Sequence, residues 1–223
     1  MPRKAKKAKE SINVTNRNYM PLHQGFTMLE VLVTLVIILL GLLGLAGLQG
    51  RVQKAQVEAY SREQALVLLN DMTDRLNTNR KVGSCYALTT GSGSPYFGTG
   101  SSAVPSCTGA GSATQRATAN ADLTELDALF KGVSEALSST SIGSINGARG
   151  CISSATNADA SVTYTLAVAW QGQSGTVTVA APTGATVATT NALACGTGSY
   201  GTDTNSVEMR RVVWTTVRIA NLL

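Results

Sequence analysis

A single carboxylate interrupts an otherwise uncharged stretch near the start of the chain. Residues 26–48 read "FTMLEVLVTLVIILLGLLGLAGL", and Glu30 is the only acidic or basic residue among them. A carboxylate in hydrocarbon is normally paired with a cation, yet the next Lys or Arg along the chain is Arg51. Cleavage between Gly25 and Phe26 would supply one, because an α-amino group has a reference pKa of about 8 and is mostly protonated at neutral pH. Glu30 would then lie one helical turn from a cation in its own chain or in a neighbouring one.

Residue types that carry enzyme chemistry are scarce in this sequence. The only histidine, His23, precedes Gly25, so a chain cut at that glycine has no imidazole for a nucleophile–base pair or a metal site. The stretch "GSGSPYFGTG" lacks the lysine of a phosphate-binding loop. Four acids crowd the polar side of one predicted helix, where solvated charge is the default: Asp122, Glu125, Asp127 and Glu135. We therefore predict a protein that is not an enzyme and uses no cofactor and no metal ion.

The apolar run is long enough to cross a membrane. A helix over residues 26–48 would measure about 35 Å, against about 30 Å for the hydrocarbon core of a bilayer. A secretory signal peptide would have a shorter apolar region followed by a small-residue cleavage site, whereas here the glycine comes first and the helical pattern continues. We predict one helix of about 55 residues from Phe26 to near Arg80, about 80 Å long.

The positive charge of the chain belongs to its first residues. Residues 1–25 contain six Lys or Arg and one Glu, which leaves 12 basic and 12 acidic residues from Phe26 onward. The positive-inside bias puts the basic leader in the cytoplasm and the body outside it. The body is neutral, so nucleic acid is not expected as a partner.

The segment "GFTMLEVLVTLVIILLGLLGLAGLQ" resembles the class III leader and N-terminal helix of type IV pilins and pseudopilins. The resemblance implies that a prepilin peptidase cuts after Gly25 and that Phe26 becomes N-methylated. It implies that Glu30 attracts the terminal amine of the adjacent subunit as helices bundle into a filament. A plain signal anchor, with Glu30 reaching the headgroups, is the alternative. Met20 is an alternative start to Met1 and would leave a short leader.

The same resemblance implies a fold, a location and partners. The expected fold is α+β, a long N-terminal helix packed on a C-terminal antiparallel β-sheet and linked by disulfides. The expected location is the inner membrane, with the C-terminus in the periplasm, and then the extracellular pilus. The expected partners are the prepilin peptidase, other major and minor pilins, the inner-membrane assembly platform, and the membrane itself before assembly.

The long helix divides into two halves by composition. Residues 26–50 form the predicted transmembrane half, and residues 51–81 the extracytoplasmic half. Glycines at 41, 44, 47 and 50 spiral around the first half, where they either loosen the helix or allow close packing of another helix. The second half carries an apolar stripe, interrupted by Arg62 and Thr73, that consists of Val52, Ala55, Ala59, Leu66, Leu69 and Leu76.

Residues 82–223 form the predicted globular domain, with a connecting region at 82–150 and a sheet at 151–223. Residues 82–121 are rich in Gly and Ser and predict a surface loop. Residues 122–138 predict a short helix, capped by Asp122 with Glu125, whose apolar face is Leu123, Leu126, Leu129, Phe130, Val133 and Leu137.

Two stretches near the C-terminus have strand patterns. "SVTYTLAVAW" alternates strictly and predicts a hairpin with "TVTVAA" across the turn "QGQSG". "SVEMRRVVWTTVRIA" predicts a last strand lying on the stripe of the long helix, with Met209, Val213, Val217 and Ile219 facing inward. We interpret Arg210 and Arg211 as a solvated or inter-subunit pair.

The four cysteines, Cys85, Cys107, Cys151 and Cys195, all follow the apolar run and lack zinc-site spacing. An even number outside the cytoplasm favours two disulfides. The preferred pairs are Cys85 with Cys107 and Cys151 with Cys195, although three connectivities exist and the sequence does not exclude the other two.

The order of landmarks resembles one kind of minor pilin, the type IV pilus modification protein called PilV. These landmarks are the anchor, "YTLAVAWQG", a late cysteine and an "RRVVW" strand. The resemblance implies roles in pilus assembly and initiation, twitching motility and adhesion. The alternatives are a minor pseudopilin of a type II secretion system and a binding module displayed on the pilus, as an adhesin or DNA-uptake receptor.

Overall fold

A computed structural model describes the following residues: 25–102, 104–109, 111–133, 136–137, 140–141, 145–177, 179–202 and 207–220. The predicted leader, apart from Gly25, and Glu135 lie outside them. The chain divides into two compact units, Met1–Leu48 and Gln49–Leu223, and the first helix contributes residues to both. The predicted fold class is confirmed: a long N-terminal helix, an antiparallel sheet near the C-terminus and two disulfides.

The predicted long helix is confirmed as α1, Met28–Thr78, and a 3-10 segment, Arg80–Cys85, follows it. The remaining elements in chain order are β1 (Phe97–Gly98), α2 (Ala113–Phe130), β2 (Ala136–Leu137), β3 (Thr140–Ser141), β4 (Arg149–Thr156), β5 (Val162–Gln171), α3 (Val187–Leu193) and β6 (Arg210–Ile219). Within the described ranges, β1, β4, β5 and β6 form one antiparallel sheet in that order, and β2 pairs with β3.

One face of the sheet packs against α1 and α2. The buried α1 residues are Ala65, Leu69, Met72 and Leu76, at the three-four spacing of a helical stripe. The stripe therefore differs from the predicted one, because Leu66 is 44% exposed while Ala65 and Met72 are fully buried. The facing sheet residues are the even-numbered ones of β5, namely Tyr164, Leu166, Val168 and Trp170. This contact confirms that the sheet lies on the stripe of the long helix.

The opposite face of the sheet is also covered. Ala167 and Ala169 of β5 are fully buried in a second cluster with Cys151, Ala192 and Cys195. The small side chains let α3 approach the strand closely, and the Cys151–Cys195 disulfide joins β4 to the segment after α3. Both faces of β5 are therefore interior, although its sequence alternates as if one face were solvated.

The predicted hairpin is wrong. The partners of β5 are β4 and β6, in registers that run from Arg149↔Ala169 and from Val162↔Ile219. Both edges of β5 are occupied, so "TVTVAA" has no edge to pair with, and Val177 in it is 85% exposed. The sequence reading missed β4, since "RGCISSAT" is short of the large β-branched and aromatic residues that mark strands.

The predicted helix over 122–138 is present in its centre but misplaced at both ends. Ser112 caps α2 through a capping box with Gln115, so the helix begins nine residues before the predicted cap at Asp122. It ends at Phe130, with Gly132 at φ +73° beyond it. Leu123, Leu126 and Phe130 are buried as predicted, whereas Val133 is 53% exposed.

The predicted surface loop over 82–121 is also wrong as a whole. It includes the first part of α2 and strand β1, and its residues Val82, Tyr86 and Phe97 are fully buried. The Phe97 ring packs edge-on against Phe130, with 4.9 Å between centroids. Large apolar residues spaced widely among Gly and Ser give no period, so their burial was not visible in the sequence.

Arg210 and Arg211 are not a solvated pair. Arg210 is 5% exposed and donates to the carbonyls of Leu193 (2.8 Å) and Cys195 (3.2 Å), at the C-terminal end of α3. Arg211 donates to the carboxylate of Glu58 on α1. Each arginine therefore fixes a different element to β6.

Polar contacts also fix α2 to α1. Arg75 Nη1 lies 3.2 Å from Asp122 Oδ1 and 2.9 Å from Glu125 Oε2. Tyr86 donates its hydroxyl to the Asp122 carboxylate, and burial together with this bond raises the pKa of Tyr86. The two acids that were expected to cap α2 or face solvent therefore bind the neighbouring helix.

The Cys85–Cys107 and Cys151–Cys195 disulfides are the preferred pairs of the sequence reading. Their Cα–Cα distances are 5.1 Å and 5.8 Å. They close chain segments of 22 and 44 residues, which stabilises the domain by about 3 to 4 kcal/mol each in the chain-entropy model.

The carboxylate of Asp127, on α2, binds strand β1 and the residues that follow it. It accepts from Gly98 N, Ser101 Oγ and Lys131 Nζ, each at 2.7 Å. Burial opposes ionisation, but these partners outweigh it and lower the pKa of Asp127. Because the folded pKa lies below the unfolded value of about 3.9, the stabilisation is complete above that value and is lost as the pH falls through the folded pKa.

We expect Asp127→Asn to lower the free energy of unfolding by about 1 to 2 kcal/mol at pH 7, because an amide is a weaker acceptor than a carboxylate. The difference between the two proteins should shrink as the pH falls below about 4. Urea denaturation at pH 7 and pH 3 measures this. A constant difference at both pH values would contradict the assigned role.

Candidate processing and assembly site

The predicted processing junction lies immediately before α1. Gly25, Phe26 and Thr27 are not helical, and α1 begins at Met28. Phe26 is 84% exposed, and a Cβ atom added to Gly25 would meet nothing within 4 Å. The peptide bond between Gly25 and Phe26 is therefore in non-helical, accessible backbone, which a peptidase requires of its substrate.

Thr27 caps the beginning of α1. The backbone N–H of Glu30 donates to Thr27 Oγ1 (3.2 Å) and to Thr27 O (3.0 Å). The sequence "TMLE" has the spacing of a capping box, in which the glutamate would return a bond to the threonine N–H. Only the threonine half of that box is present among the contacts of these two residues. The sequence reading missed this cap, although the Thr-x-x-Glu spacing could have identified it.

Glu30 lies in the first turn of α1 and is exposed. A negative charge there interacts favourably with the helix dipole, by about 0.3 to 1 kcal/mol at a solvated surface. That stabilisation is small beside the cost of an unpaired charge at the centre of a membrane-spanning helix, about 2.5 to 3.5 kcal/mol on insertion scales. The helix terminus alone therefore does not explain why a carboxylate occupies this position, and a cation at the Phe26 amine would.

The first half of α1 exposes a continuous apolar surface. Every large apolar side chain from Phe26 to Leu48 is between 46% and 90% exposed. Mean hydropathy reaches 2.9 over an 18-residue window, none of which is buried within the chain. By length and composition α1 can cross a membrane. Water is an unfavourable environment for this surface, at about 25 cal/mol per Å² of apolar area.

Other polar groups in this half are satisfied locally. Thr34 donates its hydroxyl to the carbonyl of Val31 at 2.8 Å, so it places no unpaired donor on the apolar surface. The Glu30 carboxylate, by contrast, accepts no hydrogen bond and forms no ion pair among the residues that the structure describes. Glu30 is thus the one group in residues 26–48 that calls for a partner from outside the helix.

The four glycines of α1 lie in open space among the residues that the structure describes. A Cβ at Gly41, Gly44, Gly47 or Gly50 would lie in open space, and α1 remains helical through all four. Each glycine costs about 1 kcal/mol of helix stability relative to alanine in water. No packing among the described residues accounts for these glycines, so both interpretations, a loosened helix and close packing of another helix, concern the surroundings of α1.

One comparison with known proteins matches this site. Residues 20–46 match the model of the prokaryotic N-terminal methylation motif, which includes Gly25, Phe26 and Glu30. The match supports a type IV pilin-like or pseudopilin-like precursor, with processing by a prepilin peptidase and assembly with other pilins. Comparison with curated proteins and with solved structures returned no match.

A substitution at Gly25 tests recognition by the peptidase without disturbing the fold. Because space around Gly25 is open, Gly25→Val should leave the thermal unfolding temperature unchanged while the leader is retained. Intact-mass measurement of the membrane-extracted protein should give a wild-type chain that begins at methylated Phe26 and a variant that keeps residues before it. Gly50→Val, also in open space, is the matched control and should be cleaved normally. A Gly25→Val chain that begins at Phe26 would contradict the role assigned to Gly25 in recognition by the peptidase.

Proposed function

We propose that this chain is a minor pilin of a type IV pilus, of the kind called type IV pilus modification protein or PilV. Its role is structural and not catalytic. Before processing, the chain resides in the inner membrane with its leader in the cytoplasm and its C-terminal unit in the periplasm. After cleavage and methylation at Phe26 it enters the pilus, where it contributes to assembly and initiation, and through them to twitching motility and adhesion.

The observation that carries the proposal is the combination of an accessible Gly25–Phe26 junction, a lone Glu30 and an uncovered apolar helix. The methylation motif over residues 20–46 contains all three. In the membrane, lipid covers the apolar surface of residues 26–48. In a filament, the same surface is covered by the equivalent helices of other subunits, and the glycines of α1 allow these helices to come close.

Glu30 sets the axial position of each incoming subunit relative to its neighbour. A carboxylate and an ammonium group attract far more strongly in hydrocarbon than in water, because the dielectric constant is low. The methylated amine of Phe26 keeps its positive charge, so the Glu30 of an incoming chain is paired when it meets the amine of a neighbour. An axial displacement by one helical turn, about 5.4 Å, would leave both charges unpaired.

A minor pseudopilin of a type II secretion system remains the second candidate, because the methylation motif is common to both systems. Deleting the gene decides between them. Loss of pili with secretion intact supports the pilus, and loss of secretion with pili intact supports the secretion system.

Glu30→Gln tests the ion pair with little change in side-chain size. We expect the variant to be processed and to remain in the membrane, while the fraction recovered in sheared filaments falls about tenfold, equivalent to about 1.4 kcal/mol. Thr27→Val is the matched control: it removes the 3.2 Å cap bond but leaves the charge, and should assemble almost normally. Quantitative immunoblotting of filament and membrane fractions measures both. Equal recovery of wild type and Glu30→Gln in filaments would overturn the proposed role of Glu30.

A further inference from the structure

Strand β6 forms one edge of the main sheet. Gly172 N donates to Met209 O, whereas Gln171 N donates to Asn146 O on the other side of β5. Backbone groups alternate in direction along a strand, so the register of β5 with β6 assigns the odd-numbered β6 residues to bonds with β5. The even-numbered residues therefore direct their N–H and C=O groups away from β5: Val212, Trp214, Thr216 and Arg218.

These outward backbone groups are unpaired within the part of the chain that the structure describes. None of the four residues donates or accepts a backbone hydrogen bond outside the β5 ladder there. Residues 212–218 give an open edge of about 20 Å. An edge of this length with regular geometry is a template for another strand, and many proteins shorten or cover such edges.

The side chains along this edge add an apolar centre. Trp214 is 38% exposed and lies opposite Ala167 on the face of the sheet away from α1. An indole is a large apolar group to leave against water, and it is among the side chains that most often anchor protein interfaces.

A cationic cleft lies at the C-terminal end of the same strand. Its volume is about 680 Å³, and Val162, Tyr164 and Ile219 contribute apolar lining. Arg80, Lys81 and Arg218 are its cations. Arg218 is paired with Asp159, but the ion pairs of the described residues include neither Arg80 nor Lys81.

Charge decides which kind of strand fits. Strand β6 contains no acid, so a second copy of β6 would bring no negative charge to Arg80 and Lys81. A strand that carries Asp or Glu would instead neutralise Arg80 and Lys81 as it reaches the cleft. Like-charge opposition is destabilising and opposite-charge opposition stabilising, each by roughly 0.2 to 1 kcal/mol per pair.

We propose that the open edge of β6 and the Arg80–Lys81 cleft together bind an extended, acid-bearing segment of a different subunit, which adds a strand to the sheet. The proposal rests on the assembly function above, because the partner is another subunit of the same filament. Backbone hydrogen bonds along residues 212–218 supply affinity, and Trp214 with the two cations selects the segment.

The test uses the full-length chain in cells that produce every subunit of the assembly. Trp214→p-benzoylphenylalanine replaces one large aromatic residue by a photo-reactive one. After irradiation, mass spectrometry identifies the cross-linked peptide. We expect a segment of a different subunit, extended and containing Asp or Glu. Cross-linking only to a second copy of this chain, only to a helical segment, or to nothing would overturn the proposal.

Two pairs of variants test the two parts of the surface. Thr216→Pro removes an outward N–H without removing a bond to β5, and should lower the cross-link yield about tenfold. Thr216→Val keeps the N–H and should not lower it. Arg80→Glu with Lys81→Glu should lower the yield at least about threefold, whereas Lys54→Glu on the exposed part of α1 should not.

Thermal unfolding of each purified variant shows whether it is folded. If Thr216→Pro does not fold, the Arg80/Lys81 variant and the identity of the cross-linked segment still decide the proposal. A chain that is cut at Phe26 and enters filaments, yet shows no such cross-link, overturns the docking surface and leaves the assembly function standing. A chain that never enters filaments, with its edge still cross-linked to another subunit in the membrane, overturns the assembly function and leaves the surface.

Discussion

Residues 26–48 present a large apolar surface that the described part of the chain leaves uncovered. Residues 26–48 expose every large apolar side chain, and the only ionisable group among them is a carboxylate one turn from the predicted cleavage point. The apolar surface and the carboxylate differ in how selective they are for their surroundings. The apolar surface can be covered by lipid or by any apolar helix. The carboxylate, in contrast, needs a cation at one position along the helix axis. The apolar surface therefore allows the helix to lie either in lipid or among other helices. The carboxylate adds a requirement for one particular ion pair.

The unit formed by Gln49–Leu223 is built so that the second half of α1 belongs to its core. Leu69, Met72 and Leu76 pack among residues of the sheet and of α2. Around this apolar contact lie Arg75 with Asp122 and Glu125, and Glu58 with Arg211. Surface ion pairs contribute little singly, but these pairs join elements that are far apart in sequence. They limit how α2 and β6 can slide along α1 and so give the apolar packing one register.

Local signals in the sequence were sufficient for α1, whereas the processing junction stays a prediction. The Gly–Phe step, the apolar run and the lone glutamate occur within a few turns of one helix, so their meaning does not depend on the rest of the fold. The two preferred disulfides are also present, Cys85 with Cys107 and Cys151 with Cys195. Strand β6 was predictable since Val213, Val217 and Ile219 fall at odd-numbered positions, as the period of two of a strand requires.

The errors concern residues whose surroundings come from distant parts of the chain. Strand β4 is made mostly of small residues and is buried because α3 packs on it. The sequence around residue 151 does not indicate that a helix formed by residues 187–193 will lie there. Arg210 is buried because the carbonyls of Leu193 and Cys195 converge on it, which a charge pattern does not reveal. Asp122 and Glu125 were interpreted within their own helix, although Arg75 lies about fifty positions earlier. The start of α2 was the avoidable error, since "SATQ" is a capping-box sequence.

The two disulfides have a consequence for a molecule under tension. Pulling a folded chain apart lengthens it by about 3.3 to 3.6 Å for every residue released. The 22-residue and 44-residue loops closed by Cys85–Cys107 and Cys151–Cys195 cannot be released by force between α1 and β6. About 220 Å of potential extension is thus withheld while both bonds are intact. Reduction of both disulfides would therefore let the same pulling force extend the unit further.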